Sequence, residues 1–310
     1  MTTEHLLAPE ARELLGQFPV LMPTVATLAD FRSTMLSLYP DEQVGQEERL
    51  VPGAAGAPPV RVLIYRPNKV SGPMPAMLYV HGGGFVSGAP DMMNGASQKL
   101  ADMLEAVVVA VQHRLAPETP FPGPVEDCYA ALAWLFGEAT ALNVDPTRIA
   151  IYGQSAGGGL AAATALVARD RGRHRLAAQF LLYPMLDPRT GTSDAPVDNP
   201  TTGEFVWTRE ATCFGWSAMR GAGDVGPDRI GHFAPALADD LAGLPPTFLA
   251  VGSLDLFLDE DADYALRLSR AGVPIDFRIY PGGIHGFEVI PGELVDQYWA
   301  AFEAAAKRWL

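Results

Sequence analysis

The sequence predicts an α/β fold with a mostly parallel central sheet and helices on both of its faces. Short apolar runs alternate along the 310-residue chain with longer segments of helical composition, which is typical of strands joined by helical crossovers. One of these runs, residues 106–111, is apolar throughout, as expected of a central parallel strand that is buried on both faces.

Each element is predicted from its own stretch of sequence. Compact apolar runs, several of them rich in β-branched residues, predict strands over 60–65, 76–80, 106–111, 149–152, 177–183, 247–251 and 275–280. Helical spacing of apolar residues or a composition rich in Ala and Leu predicts helices over 9–18, 27–39, 91–104, 125–142, 160–168, 208–220, 260–271 and 292–310. Residues 51–59, rich in Gly, Ala and Pro, form a turn-rich connection after an N-terminal appendage that ends near residue 45.

One stretch departs from the alternation of strands and helices. Residues 187–235 hold clusters of Pro, Gly, Asp and Thr around a single predicted helix, and the α/β rhythm resumes after them. We interpret this stretch as an insertion into the α/β domain.

Composition excludes several classes of partner. The formal net charge of −14 argues against nucleic acid or an anionic membrane, since both require basic patches. Cys128 and Cys213 lie in helix-like contexts and predict no disulfide framework. The first residues lack a basic segment followed by a long apolar one, and no apolar run reaches the roughly 20 residues of a membrane span. We therefore expect a cytoplasmic protein that does not bind membranes.

A candidate nucleophile lies where the strand 149–152 meets the following helix. The pentapeptide Gly153-Gln154-Ser155-Ala156-Gly157 has the G-x-S-x-G pattern, and a strand–turn–helix context makes that pattern a nucleophile elbow. The serine of such an elbow occupies a tight, strained turn, so its neighbours must be small. The alternative is a Gly/Ser-rich turn that only joins strand to helix.

An activated serine needs a base. His285 lies in a Gly-rich loop directly after the strand 275–280, where an imidazole can hang over the carboxyl edge of the sheet. His174 and His232 also follow the serine, but the first lies among arginines and the second in the insertion, so His285 is the preferred base.

The base in turn needs an orienting acid. Asp255 lies a few residues past the strand 247–251 and is the preferred candidate, in the order Ser, Asp, His. Asp259, Glu260 and Asp261 compete with it, although the charged first turn of the next helix accounts for them.

A glycine-rich loop offers backbone donors for an oxyanion. His81-Gly82-Gly83-Gly84 follows a predicted strand, and the N–H groups of Gly83, Gly84 and Ala156 would form the oxyanion hole. The loop alone also fits a glycine turn or a phosphate cradle, but residues 76–90 hold no Lys or Arg to support a phosphate.

Taken together, these motifs resemble those of the hormone-sensitive-lipase-like family of bacterial carboxylesterases, from about residue 60 onward. The matching segments are Gly153-Gln154-Ser155-Ala156-Gly157, His81-Gly82-Gly83-Gly84, Arg114-Leu115-Ala116-Pro117-Glu118, Gly252-Ser253-Leu254-Asp255 and His285-Gly286-Phe287. Two positions depart from the pattern: Gln154 stands where many members have Asp, and Leu256 stands where a proline often follows the acid.

The resemblance implies an α/β-hydrolase fold with a helical cap. The cap would comprise residues 1–45 and the insertion 187–235, and the core residues 46–186 and 236–310. It also implies that Ser155, Asp255 and His285 form a triad, that Gly83, Gly84 and Ala156 form the oxyanion hole, and that short-acyl esters are hydrolysed without a cofactor.

The predicted function is that of a cytoplasmic serine carboxylesterase that acts on a small-molecule ester through an acyl-enzyme. An amidase or carbamate hydrolase on the same triad, and a non-catalytic small-molecule receptor on the hydrolase scaffold, are the alternatives. No histidine–carboxylate spacing predicts a metal site. The strand 275–280 could be an edge that pairs with a second copy to form a homodimer, and a covered edge is equally compatible with the sequence. The aromatic and apolar residues expected to contact the substrate are Phe31, Met35, Phe205, Trp207 and Phe214.

Overall fold

The sheet at the centre of the molecule has the predicted α/β architecture. The structure is a computed structural model, and it describes residues 2–17, 22–39, 42–69 and 72–310. Within these residues eight strands form one sheet in the order β1-β2-β4-β3-β5-β6-β7-β8. The strands are β1 Glu47–Val51, β2 Val60–Tyr65, β3 Met74–Val80, β4 Val107–Gln112, β5 Val144–Gln154, β6 Gln179–Leu182, β7 Thr247–Gly252 and β8 Ile275–Tyr280.

The sheet is mostly parallel, which confirms the predicted fold class. β4, β3, β5, β6, β7 and β8 run parallel to one another, whereas β2 pairs antiparallel with β1 on one side and with β4 on the other. β1 was not predicted. Its sequence, EERLV, has no apolar alternation, and Leu50 is exposed, because an edge strand buries little of either face.

Helices cover both faces of the sheet. They are α1 Pro9–Leu14, α2 Leu28–Ser37, α3 Asn94–Leu104, α4 Gly123–Gly137, α5 Ala156–Arg171, α6 Arg209–Arg220, α7 Ile230–Phe233, α8 Leu258–Arg270 and α9 Glu293–Trp309. Alternate residues of β3 show the two layers: Leu78 and Val80 belong to the apolar cluster that includes α4, α5 and α8, whereas Met77 and Tyr79 belong to the cluster that includes α3 and α9. In the described part of the chain, no helix is both long and apolar enough to cross a bilayer.

Several predicted boundaries differ from the structure. The first helix is shorter than 9–18, because α1 passes at Leu15 into a single 3₁₀ turn; residue 18 lies outside the described residues. α4 ends at Gly137, five residues before the predicted end, and β5 begins at Val144. The insertion holds a short second helix, α7, that the sequence pattern did not predict.

The parallel strands bring the chemically interesting residues to one edge. β3 is followed by the HGGG loop, which is His81-Gly82-Gly83-Gly84, and β5 is followed by Ser155. Asp255 follows β7, and His285 follows β8. Because parallel strands end at the same edge of a sheet, residues far apart in sequence meet there.

Candidate active site

Ser155 occupies the single-residue turn between β5 and α5. Its backbone has φ 56° and ψ −129°, a conformation that is strained for a residue with a side chain. Two hydrogen bonds hold the turn: the Ser155 N–H donates to the Leu182 carbonyl at 2.9 Å, and the Met185 N–H donates to the Ser155 carbonyl at 3.0 Å. The strain therefore persists because the neighbouring strand and loop fix the turn from both sides.

The glycines of the G-x-S-x-G pattern are required by close backbone approaches. A Cβ atom on Gly157 would lie 2.2 Å from the Val80 carbonyl oxygen, and one on Gly153 would lie 2.2 Å from the Gly157 carbonyl oxygen. Both distances are far below van der Waals contact, so a side chain at either position would push α5 away from β3 and displace Ser155.

Ser155, His285 and Asp255 form a continuous hydrogen-bonded relay. His285 Nδ1 lies 2.8 Å from Asp255 Oδ2, and His285 Nε2 lies 2.8 Å from Ser155 Oγ. An ionised carboxylate can only accept, so Nδ1 carries the ring proton and Nε2 is the acceptor of the serine hydroxyl. Asp255 Oδ1 accepts from the Phe257 N–H at 3.0 Å, which holds the carboxylate in place. The tautomer needed for a base that acts on Ser155 thus follows from the bond to Asp255.

The relay is buried among aromatic rings. Ser155, His285 and Asp255 are 7%, 8% and 1% exposed. The His285 ring lies 4.4 Å from the Tyr183 ring and 5.3 Å from the Phe257 ring, measured between centroids. These contacts limit rotation of the imidazole and exclude most water from the hydrogen bonds.

The HGGG loop presents backbone donors beside the serine. Gly83 and Gly84 have φ values of 124° and 63°, which favour glycine, and the Val86 and Ser87 N–H groups close the turn on the Gly83 carbonyl. Across the described ranges of the chain, no protein acceptor is found for the N–H groups of Gly83, Gly84 or Ala156. The predicted oxyanion donors therefore have free hydrogen-bonding capacity.

The first residue of the HGGG loop, His81, packs against a second buried histidine, His113. His81 stacks on His113 with ring centroids 4.1 Å apart, and both side chains are buried. Burial lowers the pKa of both imidazoles, and His113 lowers the pKa of His81 further. His81 Nδ1 lies 2.9 Å from the Gly82 carbonyl oxygen, to which it donates as a neutral ring. The pair thus contributes packing to the loop rather than charge.

One cavity of about 400 Å³ opens onto the relay and the HGGG loop. Residues from the core, from the N-terminal segment and from the insertion line it together. The cavity is lined by Leu14, Phe31, Met35, Leu38, Tyr39, His81, Gly82, Gly83, Gly84, Ala89, Met92, Met93, Gln154, Ser155, Tyr183, Val206, Trp207, His285, Gly286, Glu288 and Val289.

The predicted substrate-contacting residues divide into two groups. Phe31, Met35 and Trp207 line the cavity, whereas Phe205 and Phe214 do not. Instead, Phe205 and Phe214 pack against the two apolar clusters of the core. An aromatic composition does not reveal which face of an irregular segment points to the cavity, and the contact of these two residues with substrate stays a prediction.

A tight turn separates Phe205 from Trp207. Val206 has φ 61°, and the Trp207 N–H donates to the Phe205 carbonyl at 2.7 Å, so the two aromatic side chains point in different directions. Trp207 Nε1–H donates to Thr212 Oγ1 at 2.8 Å. This bond places the indole over Gly84, where a Cβ atom would lie 2.4 Å from Trp207 Cη2.

An arginine joins the N-terminal segment to the core beside the HGGG loop. Arg32 on α2 donates to the Val86 carbonyl at 2.6 Å, to the Ala116 carbonyl at 3.0 Å and twice to the Glu118 carboxylate at 2.7 Å. Its hydrogen bonds lower the pKa of Glu118 to about 2. α2 therefore has a defined position over the cavity, and Phe31 and Met35 lie on it.

Several residues of the cavity were not predicted from the sequence. Tyr183, Met92 and Met93 follow no motif and reach the cavity only through the fold. Gln154 accepts from the Tyr79 hydroxyl at 3.1 Å. Glu288 had a detectable signal, since it is a charged residue three positions after His285.

Comparisons with known proteins agree with this geometry. The model of a family described by the alpha/beta hydrolase fold matches residues 77–289. Carboxylesterase NlhH of Mycobacterium tuberculosis is 34% identical to this chain over 296 residues, which cover 90% of this chain and 88% of that protein. Esterase LipI of the same organism is 34% identical over 259 residues, with 80% and 78% covered. The solved structure of a bacterial heroin esterase has 39% identity and a TM-score of 0.89, and the match covers 100% of this chain and 99% of that one.

Proposed function

This chain belongs to the alpha/beta hydrolase fold family and is a carboxylesterase, and from that premise we propose that Ser155, His285 and Asp255 are its catalytic triad. The observation that carries the proposal is the relay of two 2.8 Å hydrogen bonds through His285, which ends on a serine held in a strained turn. That arrangement couples a nucleophile to a base of defined tautomer, as acyl transfer requires.

The proposal assigns each step of ester hydrolysis to a residue. Ser155 Oγ attacks the ester carbonyl carbon while its proton passes to His285 Nε2, and Asp255 stabilises the imidazolium. The N–H groups of Gly83, Gly84 and Ala156 stabilise the negative oxygen of the tetrahedral intermediate. His285 then protonates the leaving alcohol as the C–O bond breaks, and water attacks the acyl-enzyme by the same route.

We propose that short acyl groups are the preferred ones. Residues 1–45 and 187–235 act as a cap over a core made of residues 46–186 and 236–310, and the cavity between them measures about 400 Å³. Phe31, Met35 and Trp207 bring apolar walls from the cap to this cavity. Each acyl methylene gains about 0.8 kcal/mol of burial until it reaches a wall, after which overpacking reverses the gain.

We also propose a homodimer formed through β8. This strand is the last of the sheet, and Ile279 on it is 48% exposed. Two antiparallel copies centred on Phe277 would place Asp276 of one opposite Arg278 of the other, so the charges are complementary. Sedimentation velocity of the wild type and of Arg278→Asp tests this: a dimer that the variant dissociates supports the proposal, and a monomeric wild type contradicts it.

The cytoplasmic location expected from the sequence stays a prediction. Fractionation of cells that express the chain, followed by an activity assay of each fraction, would test it.

Labelling with a fluorophosphonate tests the triad directly. This probe phosphonylates an activated serine, so the intact protein should gain the mass of one label, and the modified peptide should contain Ser155. Ser155→Ala and His285→Ala should stay unlabelled, while Ser269→Ala, which changes an exposed serine near the end of α8, should label normally. A label on another residue, or undiminished labelling of Ser155→Ala, contradicts the assignment.

A further inference from the structure

Glu288 places a carboxyl group in the wall of the catalytic cavity. It lies in the 3₁₀ turn Phe287–Val289, three residues after His285, and lines the cavity together with Ser155. Its Oε2 atom is shielded from solvent and has no hydrogen-bond partner among the described residues. A buried carboxylate oxygen without a partner costs free energy, so this group calls for an explanation.

The surroundings of Glu288 satisfy only part of its hydrogen-bonding capacity. Burial raises the pKa of Glu288, and a hydrogen bond from the Tyr183 hydroxyl opposes that rise. A second cavity of about 20 Å³ lies behind it, lined by Tyr79, Ser97 and Gln154 among others. Glu288 lines both cavities, and a cavity of about 20 Å³ has room for one water molecule beside the carboxyl group.

The other walls of the catalytic cavity suit an organic cation. Phe31, Tyr39, Tyr183 and Trp207 present four aromatic rings, whose faces attract a positive charge. Of the described residues that line the cavity, none is Lys or Arg, and Glu288 is the single carboxylic acid. A cation that enters therefore meets aromatic rings and one acid, with no Lys or Arg among the described lining residues to repel it.

The position of Glu288 indicates which part of the ester it meets. His285 protonates the leaving alcohol, so the alcohol part lies on the His285 side of the scissile bond. Glu288 follows His285 by three residues in the same loop. The group nearest to Glu288 is therefore carried by the alcohol.

We propose that Glu288, with the aromatic rings around it, makes this carboxylesterase selective for esters whose alcohol part carries an organic ammonium group. The inference rests on the proposed triad, since it names the substrate class of that same site. A bound ammonium would pair with the otherwise unsatisfied carboxylate and lie against the rings, which removes the cost of burying Glu288 without a partner.

Two esters of equal shape and different charge test the proposal. Acetylcholine carries a trimethylammonium group where 3,3-dimethylbutyl acetate carries a neutral tert-butyl group. The wild type should hydrolyse acetylcholine with a kcat/KM about tenfold or more above that of the neutral ester, because only the charged ester is attracted by the carboxylate and by the faces of the rings. Glu288→Gln should remove that preference by lowering the value for acetylcholine alone. The matched control is Glu293→Gln, which changes an exposed carboxylate on α9 outside the cavity and should leave both values unchanged.

A second measurement needs no variant. Choline and 3,3-dimethyl-1-butanol, the alcohols of the two esters, should compete with p-nitrophenyl acetate in the wild type. Choline should inhibit more strongly, by a similar factor of about ten. This comparison keeps the proposal testable even where Glu288→Gln fails to fold.

Three results would overturn the inference. They are equal hydrolysis of the two esters by the wild type, equal losses on both esters in Glu288→Gln, and stronger inhibition by the neutral alcohol. Hydrolysis of p-nitrophenyl acetate separates these from failure of the triad: if the wild type hydrolyses it and Ser155→Ala does not, only the ammonium preference is at fault.

Discussion

The proposed catalytic edge of the core and the proposed cap over it are built in different ways. Ser155, Asp255 and His285 each follow a parallel strand, and the register of β5, β7 and β8 brings them into one hydrogen-bonded relay. The proposed cap contributes Phe31 from a helix that the hydrogen bonds of Arg32 hold, and Trp207 from an irregular loop whose indole is held by its bond to Thr212. The chemistry is thus supported by the whole sheet, whereas the walls of the cavity are supported by a few side chains.

This difference predicts how each region responds to substitution. Changes at the catalytic edge should abolish turnover and leave the selectivity pattern undefined. Changes in the cap should leave turnover measurable and alter which ester is preferred.

Ser155→Ala should have the largest effect. The loss of the nucleophile should lower kcat by about a millionfold, as for removal of the nucleophile in related triads. The Ala side chain fits the same turn, so far-UV circular dichroism and the melting temperature should match the wild type. Hydrolysis of p-nitrophenyl acetate by the purified variant at more than a few per cent of the wild-type rate would mean that another residue is the nucleophile.

Asp255→Asn should cause the second-largest loss in kcat. The Asn side chain cannot hold His285 in the required tautomer or stabilise its protonated form, and the equivalent change in a related triad costs about ten-thousandfold. Asp259→Asn is the matched control: this carboxylate accepts from Asn199 Nδ2 at 2.9 Å and does not touch His285. It should lose about 1 kcal/mol of stability and keep its kcat within a fewfold. If Asp259→Asn showed the larger loss in kcat, the acid would have to be reassigned.

The sequence predicted the core of the molecule better than the proposed cap. The parallel strands and the carboxylesterase function were predicted correctly, because apolar runs and G-x-S-x-G and HGGG motifs are local in sequence. β1 was missed because its exposed, charged residues resemble a loop, and its pairing with β2 is a tertiary contact. Among the cap aromatics, Trp207 faces the cavity and Phe205 does not, since the turn at Val206 separates them. No composition or periodicity contains that information. The roles of the individual site residues stay predictions, which the two substitutions above test.

Substitutions in the proposed cap should change which acyl chain length the enzyme prefers. Trp207 lies over Gly84 and 6.1 Å from the His285 ring, so Trp207→Ala should enlarge the cavity beside the scissile bond. Across p-nitrophenyl esters from acetyl to dodecanoyl, the wild type should have its highest kcat/KM between acetyl and about hexanoyl. The variant should shift that maximum to longer chains and lose about tenfold on acetyl, because each methylene of lost contact is worth about 0.8 kcal/mol.

Phe214→Ala provides the control for the cap. It removes an aromatic ring of the same insertion that packs on the core outside the cavity, so it should lower stability and leave the chain-length profile unchanged. A wild-type maximum at dodecanoyl would contradict the closed cap, and a shift in Phe214→Ala equal to that in Trp207→Ala would contradict the division between the two aromatic residues.

The smallest expected effect is that of Asp261→Asn, a substitution in the core behind the relay. It should appear in the free energy of unfolding alone. Asp261 is fully buried on α8, and both of its carboxylate oxygens lack a partner among the described residues. Burial raises the pKa of Asp261 well above its usual range, and the carboxylates of Glu260 and Asp255 add to the rise. Below about pH 4 the group is protonated in both the folded and the unfolded chain and contributes nothing. As the pH rises above that value, the unfolded chain ionises first and is stabilised, so the free energy of unfolding falls until the pH passes the raised pKa of the folded state.

Asp261→Asn removes the cost of keeping this carboxyl group buried. Urea unfolding should therefore show a variant about 1–3 kcal/mol more stable than the wild type at pH 7, with the difference shrinking toward zero near pH 4. Asp263→Asn, an exposed carboxylate two residues along the same helix, should show no such pH-dependent gain. A loss of stability in Asp261→Asn at pH 7 would mean that the buried carboxylate has a partner and that the core behind the relay is as well satisfied as the relay itself.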